Sequence, residues 1–333
     1  MKVVVLTTSY PTPAHPVAGT FVRSYVEAAR AAGVDVEVVS PESFPHFGVA
    51  FGAGIAQNLR AAPWKAALVP AFLGAFAAAA RRVARGADLV HAHWIPSALA
   101  ARASGKPYVL QVWGTDVELA RRAPALVRPL VRRARLVLAA SAYLAGEARA
   151  LGARRVEVVP VPMSVPGRVA EPAEPPHVLY AGRLSEEKGI LEFLAATDGL
   201  PRVVVGDGPL RDRVPEAAGF VPPDELGAYY ERAAVVCVPS RREGYGMTAR
   251  EAMAYGRPVV ATLVGGLAEL GDGAILVPPR DVAALREAVA PLLADPEERA
   301  RTGTAAREHA RGSWSRETAA AALGAAYARA ILR

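Results

Sequence analysis

Short runs of β-branched and aliphatic residues alternate along this chain with longer segments rich in alanine, leucine and arginine. The short runs have the length of buried strands, and the longer segments have the length of helices that connect parallel strands. Glycine follows predicted helices at residues 21–32 and 143–151, as expected just past a helix end. In the first half, the pattern predicts strands at residues 2–8, 34–40, 88–93, 108–112, 136–140 and 156–159.

The alternation stops at residues 160–176, a segment of seventeen residues that contains six prolines and shows no amphipathic period. Such a composition is typical of a linker or hinge. The alternation then resumes, with strands predicted at residues 178–181, 202–205, 219–221, 235–239, 258–262 and 274–277. We therefore predict an α/β protein with two Rossmann-like, doubly wound parallel-sheet domains facing across a cleft. The predicted divisions are a domain at 1–160, a hinge at 161–176 and a domain at 177–316.

The composition agrees with two folded domains, because 52% of the 333 residues are hydrophobic. The single cysteine, Cys237, lies in an apolar run. Because one cysteine cannot form an internal disulfide, we expect the protein to function in the reducing cytoplasm. No export signal is expected at the start of the sequence. The most apolar stretch, residues 66–80, is predicted to be a buried or interfacial helix that is too short to span a bilayer.

The positive charge is concentrated in the first half of the chain. Residues 1–165 contain 19 basic and 9 acidic side chains, whereas the remainder contains 20 basic and 23 acidic ones. This asymmetry is compatible with peripheral contact between the first domain and an anionic membrane, with an acidic acceptor, or with a solvated arginine-rich surface. No basic run is interleaved with aromatic residues, so a nucleic-acid partner is not expected. No zinc-ligand spacing is present, and no metal site is expected.

The most informative stretch is residues 239–253, because ligands of open α/β sheets bind beyond the carboxyl ends of the strands. A predicted strand ends at Ser240, and the following loop contains Glu243. The amides at the start of the next helix can bind phosphate oxygens, while two carboxylates suit ribose and sugar hydroxyls. Taken singly, Glu243 is best interpreted as a surface charge and Glu251 as a helix residue that complements the helix dipole. Together, with two glycines between them, they favour a functional site. The donor-binding candidates here are Gly244, Tyr245, Gly246, Met247, Thr248 and Glu251.

A second candidate follows the first strand after the proline-rich segment. Arg183 and Lys188 lie at a strand end and near a helix start, where both cations can converge on a diphosphate. An ordinary turn with solvated charges is an equally good interpretation of that segment alone. The Gly206-Asp-Gly-Pro209 loop offers backbone access to a base or ribose but would serve equally well as a turn.

These motifs together resemble the retaining GT-B glycosyltransferases of family 4. The resemblance covers almost the whole second half and is looser in the first half. Its elements are Gly182-Arg183, Lys188-Gly189, Gly206-Asp-Gly-Pro209, the pair Glu243 and Glu251 eight residues apart, and in the first half Gly19, His91-Ala-His93 and Trp113-Gly-Thr-Asp116.

The resemblance implies a role for each matched residue. Arg183 and Lys188 would hold the diphosphate, together with the amides near Met247 and Thr248. Glu243 would contact the transferred sugar. The resemblance implies that Glu251 contacts the ribose and that Phe220 and Val221 line the base pocket. Gly19 would let the backbone approach the donor phosphate or the acceptor, and Gly182 and Gly206 are further donor-binding candidates. The resemblance also implies a metal-independent reaction without a cofactor, in which a nucleotide diphosphate sugar is the co-substrate. The helix at 317–333 would cross back to the first domain.

One position departs from the family pattern. Many members have histidine before the glycine of the segment in which this chain has Trp113-Gly114, although Asp116 is retained as a catalytic candidate. Trp113 could pack against a sugar or fill the core. His91 and His93 could contribute to the site from the neighbouring strand end, although a lone histidine at a strand end is more often structural. The role of His15 stays open.

The leading hypothesis is therefore a retaining hexosyltransferase whose acceptor is a glycan, a lipid-linked sugar or a small molecule. The alternative from another class is a catalytically silent GT-B-fold binding or partner subunit. A nucleotide-sugar epimerase or phosphorylase is disfavoured by the two glutamates. A dinucleotide oxidoreductase is disfavoured because no Gly-x-Gly-x-x-Gly follows the first strand.

Overall fold

The computed structural model describes residues 1–50 and 54–332, which form two compact units. Unit 1 is Met1–Pro162 together with the chain from Arg316 onward, and unit 2 is Met163–Ser315. The chain thus leaves unit 1 once and returns to it once. The predicted hinge segment lies almost entirely within unit 2.

Unit 1 contains a six-stranded sheet in which every neighbouring pair is parallel. Its central strands are buried on both faces, which explains why they read as continuous apolar runs rather than as alternating patterns. The strands are β1 (Lys2–Leu6), β2 (Asp35–Val39), β3 (Leu89–His93), β4 (Tyr108–Val112), β5 (Leu136–Ala139) and β6 (Val156–Val158), in the order β2-β1-β3-β4-β5-β6.

Helices connect these strands and cover the sheet. They are α1 (Thr20–Ala31), α2 (Ile55–Ala61), α3 (Val69–Val83), α4 (Ile95–Ala103), α5 (Thr115–Arg122), α6 (Pro124–Arg133) and α7 (Ala142–Ala150). Helix α4 packs between α3 and α6, so these three helices share one face of the sheet.

Unit 2 contains a second parallel sheet, of five strands, with the order β11-β10-β9-β7-β8. Its strands are β7 (Val178–Ala181), β8 (Arg202–Val205), β9 (Val235–Val238), β10 (Val259–Thr262) and β11 (Ala274–Val277). Its helices are α8 (Ile190–Ala196), α9 (Leu226–Arg232), α10 (Met247–Ala254), α11 (Val282–Ala294) and α12 (Pro296–Trp314). Helices α8 and α11 pack together, as do α10 and α12, with a hydrophobic cluster on each side of the sheet.

The helix predicted near residue 317 is α13 (Arg316–Ile331), which belongs to unit 1 and packs against α1. One of its contacts reaches the centre of the sheet: the Tyr327 hydroxyl lies 2.7 Å from His91 Nδ1. Both side chains are buried. Helix α13 therefore completes the covering of unit 1.

Two expectations from the sequence are wrong. Residues 219–221 are not a strand, because Gly219 makes only an isolated bridge to Gly206 and Phe220 is 63% exposed. The apolar stretch at residues 66–80 is part of a continuous helical run, Pro63–Gly86, which is 24 residues long and therefore long enough to cross a bilayer. Proline does not break this run, since Pro63 and Pro70 each lie in the first turn of a helical segment.

The most apolar 18-residue window of this helical run has a mean hydropathy of 1.4, and 22% of that window is buried. Phe72 and Phe76 form its buried face, and their rings lie 5.7 Å and 4.7 Å from the ring of Phe44. Trp64, in contrast, is 68% exposed. One side of the run is thus anchored in unit 1, while an apolar side faces outward.

The proline-rich segment is held against unit 2 by backbone contacts. The Met163 amide donates to the Trp314 carbonyl, at 3.1 Å, and the Ala173 amide donates to the Arg232 carbonyl, at 2.9 Å. Proline cannot continue a helix or a sheet ladder, so the segment takes its hydrogen bonds from neighbouring elements instead.

Candidate active site

The candidate donor residues of unit 2 follow the carboxyl ends of β7 and β9. The loop after β7 supplies Lys188, and the loop after β9 supplies Glu243; Lys188 Nζ lies 2.6 Å from Glu243 Oε2. The two side chains are 32% and 16% exposed, so a ligand can reach them from solvent. Residues 55 positions apart in sequence therefore form one charged pair at the sheet edge.

Tyr180 fixes the loop after β7. Its buried hydroxyl donates to the Arg183 carbonyl at 2.8 Å and lies 3.4 Å from the Lys188 carbonyl. The Arg183 side chain points into solvent and has no hydrogen bond or ion pair with any part of the chain that the structure describes. It is therefore free to bind an anion.

Gly189 allows the loops after β7 and β9 to approach each other. Its φ of +70° is left-handed, and a Cβ at this position would lie 1.9 Å from the Pro239 carbonyl oxygen. No larger residue fits here without displacing backbone. Glycine at this position is thus required both by conformation and by space.

A small polar pocket lies between these two loops. Its volume is about 40 Å³, and its lining includes Gly182, Lys188, Ser240, Glu243 and Thr248. One cation and one carboxylate therefore share a recess at the carboxyl edge of the sheet. This is where the sequence predicted that the sugar and phosphate groups of a donor would bind.

Helix α10 begins beside the same pocket. Gly246, with a φ of +85°, precedes its first residue, and no side chain caps its N-terminus. Thr248 is turned back toward the sheet, where its hydroxyl donates to the Ala181 carbonyl at 3.1 Å. The amides of the first turn, near Met247, are left to a ligand, and the helix dipole favours an anion there.

Sequence reasoning missed Arg250, although its position in α10 would have been a signal, since arginine seldom lies on the buried face of a helix. Arg250 is 2% exposed and lies between the Tyr245 and Trp314 rings, 4.0 Å and 4.8 Å from their centroids. Its guanidinium donates to the carbonyls of Tyr245 and, at 3.1 Å, Gly266. Burial lowers its pKa. Arg250 therefore anchors the loop that carries Glu243.

The Glu251 side chain contacts Tyr230 of α9. The Tyr230 hydroxyl donates to Glu251 Oε2 at 2.9 Å. Burial raises the pKa of Glu251, and the hydrogen bond partly opposes that shift. The tyrosine holds one carboxylate oxygen of Glu251 and leaves the other available to a hydroxyl donor. Tyr230 was not anticipated, because it lies 21 positions away in sequence.

The remaining candidates of unit 2 lie around the end of β8. Gly206 has a φ of +136°, and a Cβ there would lie 1.8 Å from the Gly182 carbonyl oxygen. The two glycines thus bring the ends of β7 and β8 together. Phe220 is exposed next to this turn, and Val221 is half-buried.

In unit 1, Asp116 is buried, and both of its carboxylate oxygens accept backbone hydrogen bonds. Oδ1 accepts from the Trp113 amide at 2.8 Å, and Oδ2 accepts from the Ile95 amide at 3.1 Å. Burial raises its pKa to about 6, against the opposing effect of these hydrogen bonds. Asp116 therefore holds the end of β4 next to the start of α4.

Trp113 lies in an aromatic cluster. Its ring centroid is 4.4 Å from that of Phe21, 5.7 Å from Tyr25 and 5.9 Å from His93. Trp94 lies 6.0 Å away and has an unusual φ of +64°. At the position where the family resemblance implies histidine, this chain thus has a large ring packed among other rings.

His91 and His93 are both fully buried. Burial lowers the pKa of His91 to about 3 and lowers that of His93 as well. Both imidazoles are therefore neutral, and the structural interpretation fits them better than contact with a ligand.

Gly19 precedes α1 with a φ of +67°, and a Cβ there would lie 2.4 Å from the Ser9 carbonyl oxygen. The loop after β1 is thereby folded tightly against the start of α1. His15 of the same loop borders a cavity of about 10 Å³, enough for one water molecule.

Within residues 1–50 and 54–332, no group of three or more His, Cys, Asp or Glu side chains could hold a metal ion.

Two models of known protein families match the chain. The family model described as "Glycosyltransferase Family 4" matches residues 18–164, and the model described as "Glycosyl transferases group 1" matches residues 175–295. The fold and the two matches define a GT-B glycosyltransferase. The chain belongs to glycosyltransferase family 4.

Individual relatives span most of the chain. One is a Bacillus subtilis protein described as a teichuronic acid biosynthesis glycosyltransferase, 28% identical over 87% of this chain and 88% of the relative. Another is the glycogen synthase of Mycobacterium tuberculosis, 30% identical over 72% of this chain and 68% of the relative. Among solved structures, Anabaena HepE in complex with UDP-glucose is similar over 98% of this chain and 99% of that one, with a TM-score of 0.74 and 19% identity.

Proposed function

We propose that this glycosyltransferase moves a hexose from a nucleotide diphosphate sugar to its acceptor with retention of anomeric configuration and without a metal ion. The observation that carries the proposal is the ion pair of Lys188 and Glu243 beside the uncapped start of α10. It combines a cation and free amides for a diphosphate with a carboxylate for a sugar hydroxyl.

The donor diphosphate would lie between the loop after β7 and the start of α10. Lys188 and the solvent-facing Arg183 supply two cations, and the first amides of α10 supply neutral donors. Hydrogen bonds between charged partners contribute roughly 1.5–3 kcal/mol each, so these groups can stabilise the departing diphosphate without a metal. The diphosphate is therefore both the bound group and the leaving group.

The nucleoside and the sugar would be held on either side of the diphosphate. Glu251, with one oxygen fixed by Tyr230, accepts from a ribose hydroxyl, and Phe220 and Val221 border the base. Glu243 accepts from a hydroxyl of the sugar.

The acceptor hydroxyl would attack the anomeric carbon on the face from which the diphosphate departs. The bond from that carbon to the diphosphate oxygen breaks, and the phosphate oxygen takes the proton of the hydroxyl. Arg183 and Lys188 compensate the negative charge that develops on the diphosphate. Front-face attack leaves the sugar with the configuration that it had in the donor.

UDP-glucose is the first donor to test, because the structurally similar Anabaena protein was crystallised with it. The acceptor is a glycan, a lipid-linked sugar or a small molecule.

We place the enzyme in the cytoplasm, in peripheral contact with the inner face of the membrane. The basic excess of residues 1–165 and the exposed Trp64 beside Lys65 support that location.

The experiment that tests the proposal is calorimetric titration with UDP, GDP, ADP and TDP in the presence of EDTA, followed by NMR of the transfer product. A diphosphate at 100 times its dissociation constant stabilises the fold by about 2.7 kcal/mol. One preferred diphosphate and a product of unchanged anomeric configuration support the proposal. Binding that requires a metal, or an inverted product, contradicts it.

A further inference from the structure

A large open pocket in unit 1 is lined mainly by arginine. It lies at the amino edge of the sheet, away from the carboxyl edge that carries Gly19 and Asp116, and has a volume of about 850 Å³. None of the residues that line it is acidic. They are Arg128, Arg132, Arg133, Arg135, Arg154 and Arg155, together with Ala125, Pro129 and Ala134.

Three elements bring these arginines together. Arg128 and Arg132 are four residues apart and therefore lie on the same face of α6. Arg135 immediately precedes β5, and Arg155 immediately precedes β6. The Val137 amide donates to the Arg155 carbonyl at 2.9 Å, so the starts of the two strands lie side by side. The pocket is thus built into the sheet edge.

The guanidinium groups of the pocket have no partners of opposite charge in the part of the chain that the structure describes. None of the six makes a side-chain hydrogen bond or an ion pair within the described residues, 1–50 and 54–332. Elsewhere in unit 1, arginines do pair with glutamates, as in Arg121 with Glu147 and Arg329 with Glu157. The carbonyls at the end of α6 attract one or two cations at most. Six like charges around one concave surface repel each other unless an anion is bound.

We propose that this arginine pocket binds a phosphate-bearing anion that carries several negative charges. Guanidinium groups match phosphate oxygens in a bidentate manner, and the volume is large enough for more than one phosphate. No aromatic side chain lines the pocket, so stacking of nucleic-acid bases has no partner there. Soluble polyphosphates and phospholipid head groups share the required chemistry. The pocket belongs to unit 1 and the donor loops belong to unit 2, and the inference does not rest on the proposed function.

The first test is calorimetric titration with sodium tripolyphosphate. The full chain carries Arg183→Ala and Lys188→Ala as a background, so that these two donor-loop cations do not contribute. In that background, Arg128→Gln, Arg132→Gln and Arg154→Gln are introduced together. A matched control replaces three exposed arginines outside the pocket, Arg60, Arg213 and Arg311, with glutamine. Both triple variants lose the same net charge.

We expect saturable binding by the background chain, at least tenfold weaker binding by the pocket variant, and a change of less than twofold in the control. Binding should also weaken when the salt concentration rises. Equal loss in both triple variants would show a general charge effect and overturn the proposal. Circular dichroism verifies that each variant is folded.

A second arm separates the two sources of phosphate. Co-sedimentation is measured with vesicles of phosphatidylcholine alone and with 30% cardiolipin, whose head group carries two phosphates. Binding to anionic vesicles that only the pocket variant loses assigns the pocket to a lipid head group. Tripolyphosphate binding without pocket-dependent vesicle binding assigns it to a soluble anion. Absence of both kinds of binding in the background chain overturns the proposal.

Discussion

Lys188 and Glu243 form an ion pair, with 2.6 Å between Nζ and Oε2, that joins the loop after β7 to the loop after β9. An ion pair that is partly exposed contributes little to stability, at most about 1 kcal/mol. Its consequence lies in the site instead: each side chain is held by the other in the absence of a ligand. An incoming diphosphate would compete with Glu243 for the ammonium group, which frees the carboxylate for a hydroxyl.

We predict that Lys188→Ala lowers kcat/KM for the nucleotide sugar at least a hundredfold, because it removes a cation from the diphosphate. The melting temperature should change by less than about 3 °C, since the pair is partly exposed. Initial-rate kinetics and thermal unfolding measure the two effects. Lys106→Ala, outside the candidate site, is the matched control. Unchanged turnover in Lys188→Ala would contradict the proposed function.

We predict that Arg250→Lys destabilises the protein by roughly 2–3 kcal/mol, because lysine lacks the planar guanidinium whose two terminal nitrogens reach the two carbonyls and which stacks between Tyr245 and Trp314. The KM for the donor should rise, since the loop of Glu243 loses its anchor. Urea unfolding and donor kinetics measure these effects. Arg311→Lys, an exposed change in α12, should alter neither quantity. A normal KM in Arg250→Lys would show that the loop does not depend on this anchor.

Gly189 and Gly199 have almost the same φ, +70° and +72°, but different surroundings. Alanine at Gly199 meets no atom within 4 Å and should cost only the left-handed strain, about 1–2 kcal/mol. Alanine at Gly189 also meets the Pro239 carbonyl and should cost at least twice as much. Urea unfolding of both variants measures the difference. Equal losses would mean that the two loops can separate at little cost.

The buried His91 should make stability depend on pH. Burial lowers its folded-state pKa to about 3, whereas the unfolded chain titrates near 6.5. Its contribution is therefore complete above pH 6.5 and is lost as the pH falls toward 3, because only the unfolded chain takes up the proton. Between pH 6 and 5 the loss is about 1 kcal/mol.

His91→Gln should reduce that pH dependence by this amount, whatever its effect on stability at pH 7. Tyr327→Phe removes the hydroxyl contact but keeps the imidazole, so its unfolding free energy should follow pH as in the parent protein. Urea unfolding at pH 5, 6 and 7 measures the three curves. An unchanged slope in His91→Gln would contradict the assignment.

The sequence predicted the features that depend on neighbouring residues. Short aliphatic runs located β7 and β9, and the order of glycines and charges after each run located Lys188 and Glu243. These predictions succeed because parallel strands place their carboxyl ends at one edge, whatever the details of packing. The family assignment, made from the same residues, is confirmed by comparison with known families.

Features that depend on distant partners could not be predicted. Tyr230 contacts Glu251, and Arg250 packs against Trp314. In each pair, no local sequence pattern connects the two residues. Residues 219–221 look like a strand but form no ladder, since Gly219 makes only an isolated bridge to Gly206. The roles of Arg183, Glu243 and Asp116 in the reaction stay predictions.

The return of α13 to unit 1 affects how the two units are completed during synthesis. Unit 2 is complete once Ser315 has left the ribosome, whereas the face of unit 1 around His91 is covered only when Tyr327 has emerged. At 5–20 residues per second, the 236 residues that separate this pair take about 10–50 s to translate. During that interval unit 1 exposes apolar surface while unit 2 is synthesised and folds. We therefore expect chaperones to bind the first half of the nascent chain more than the second.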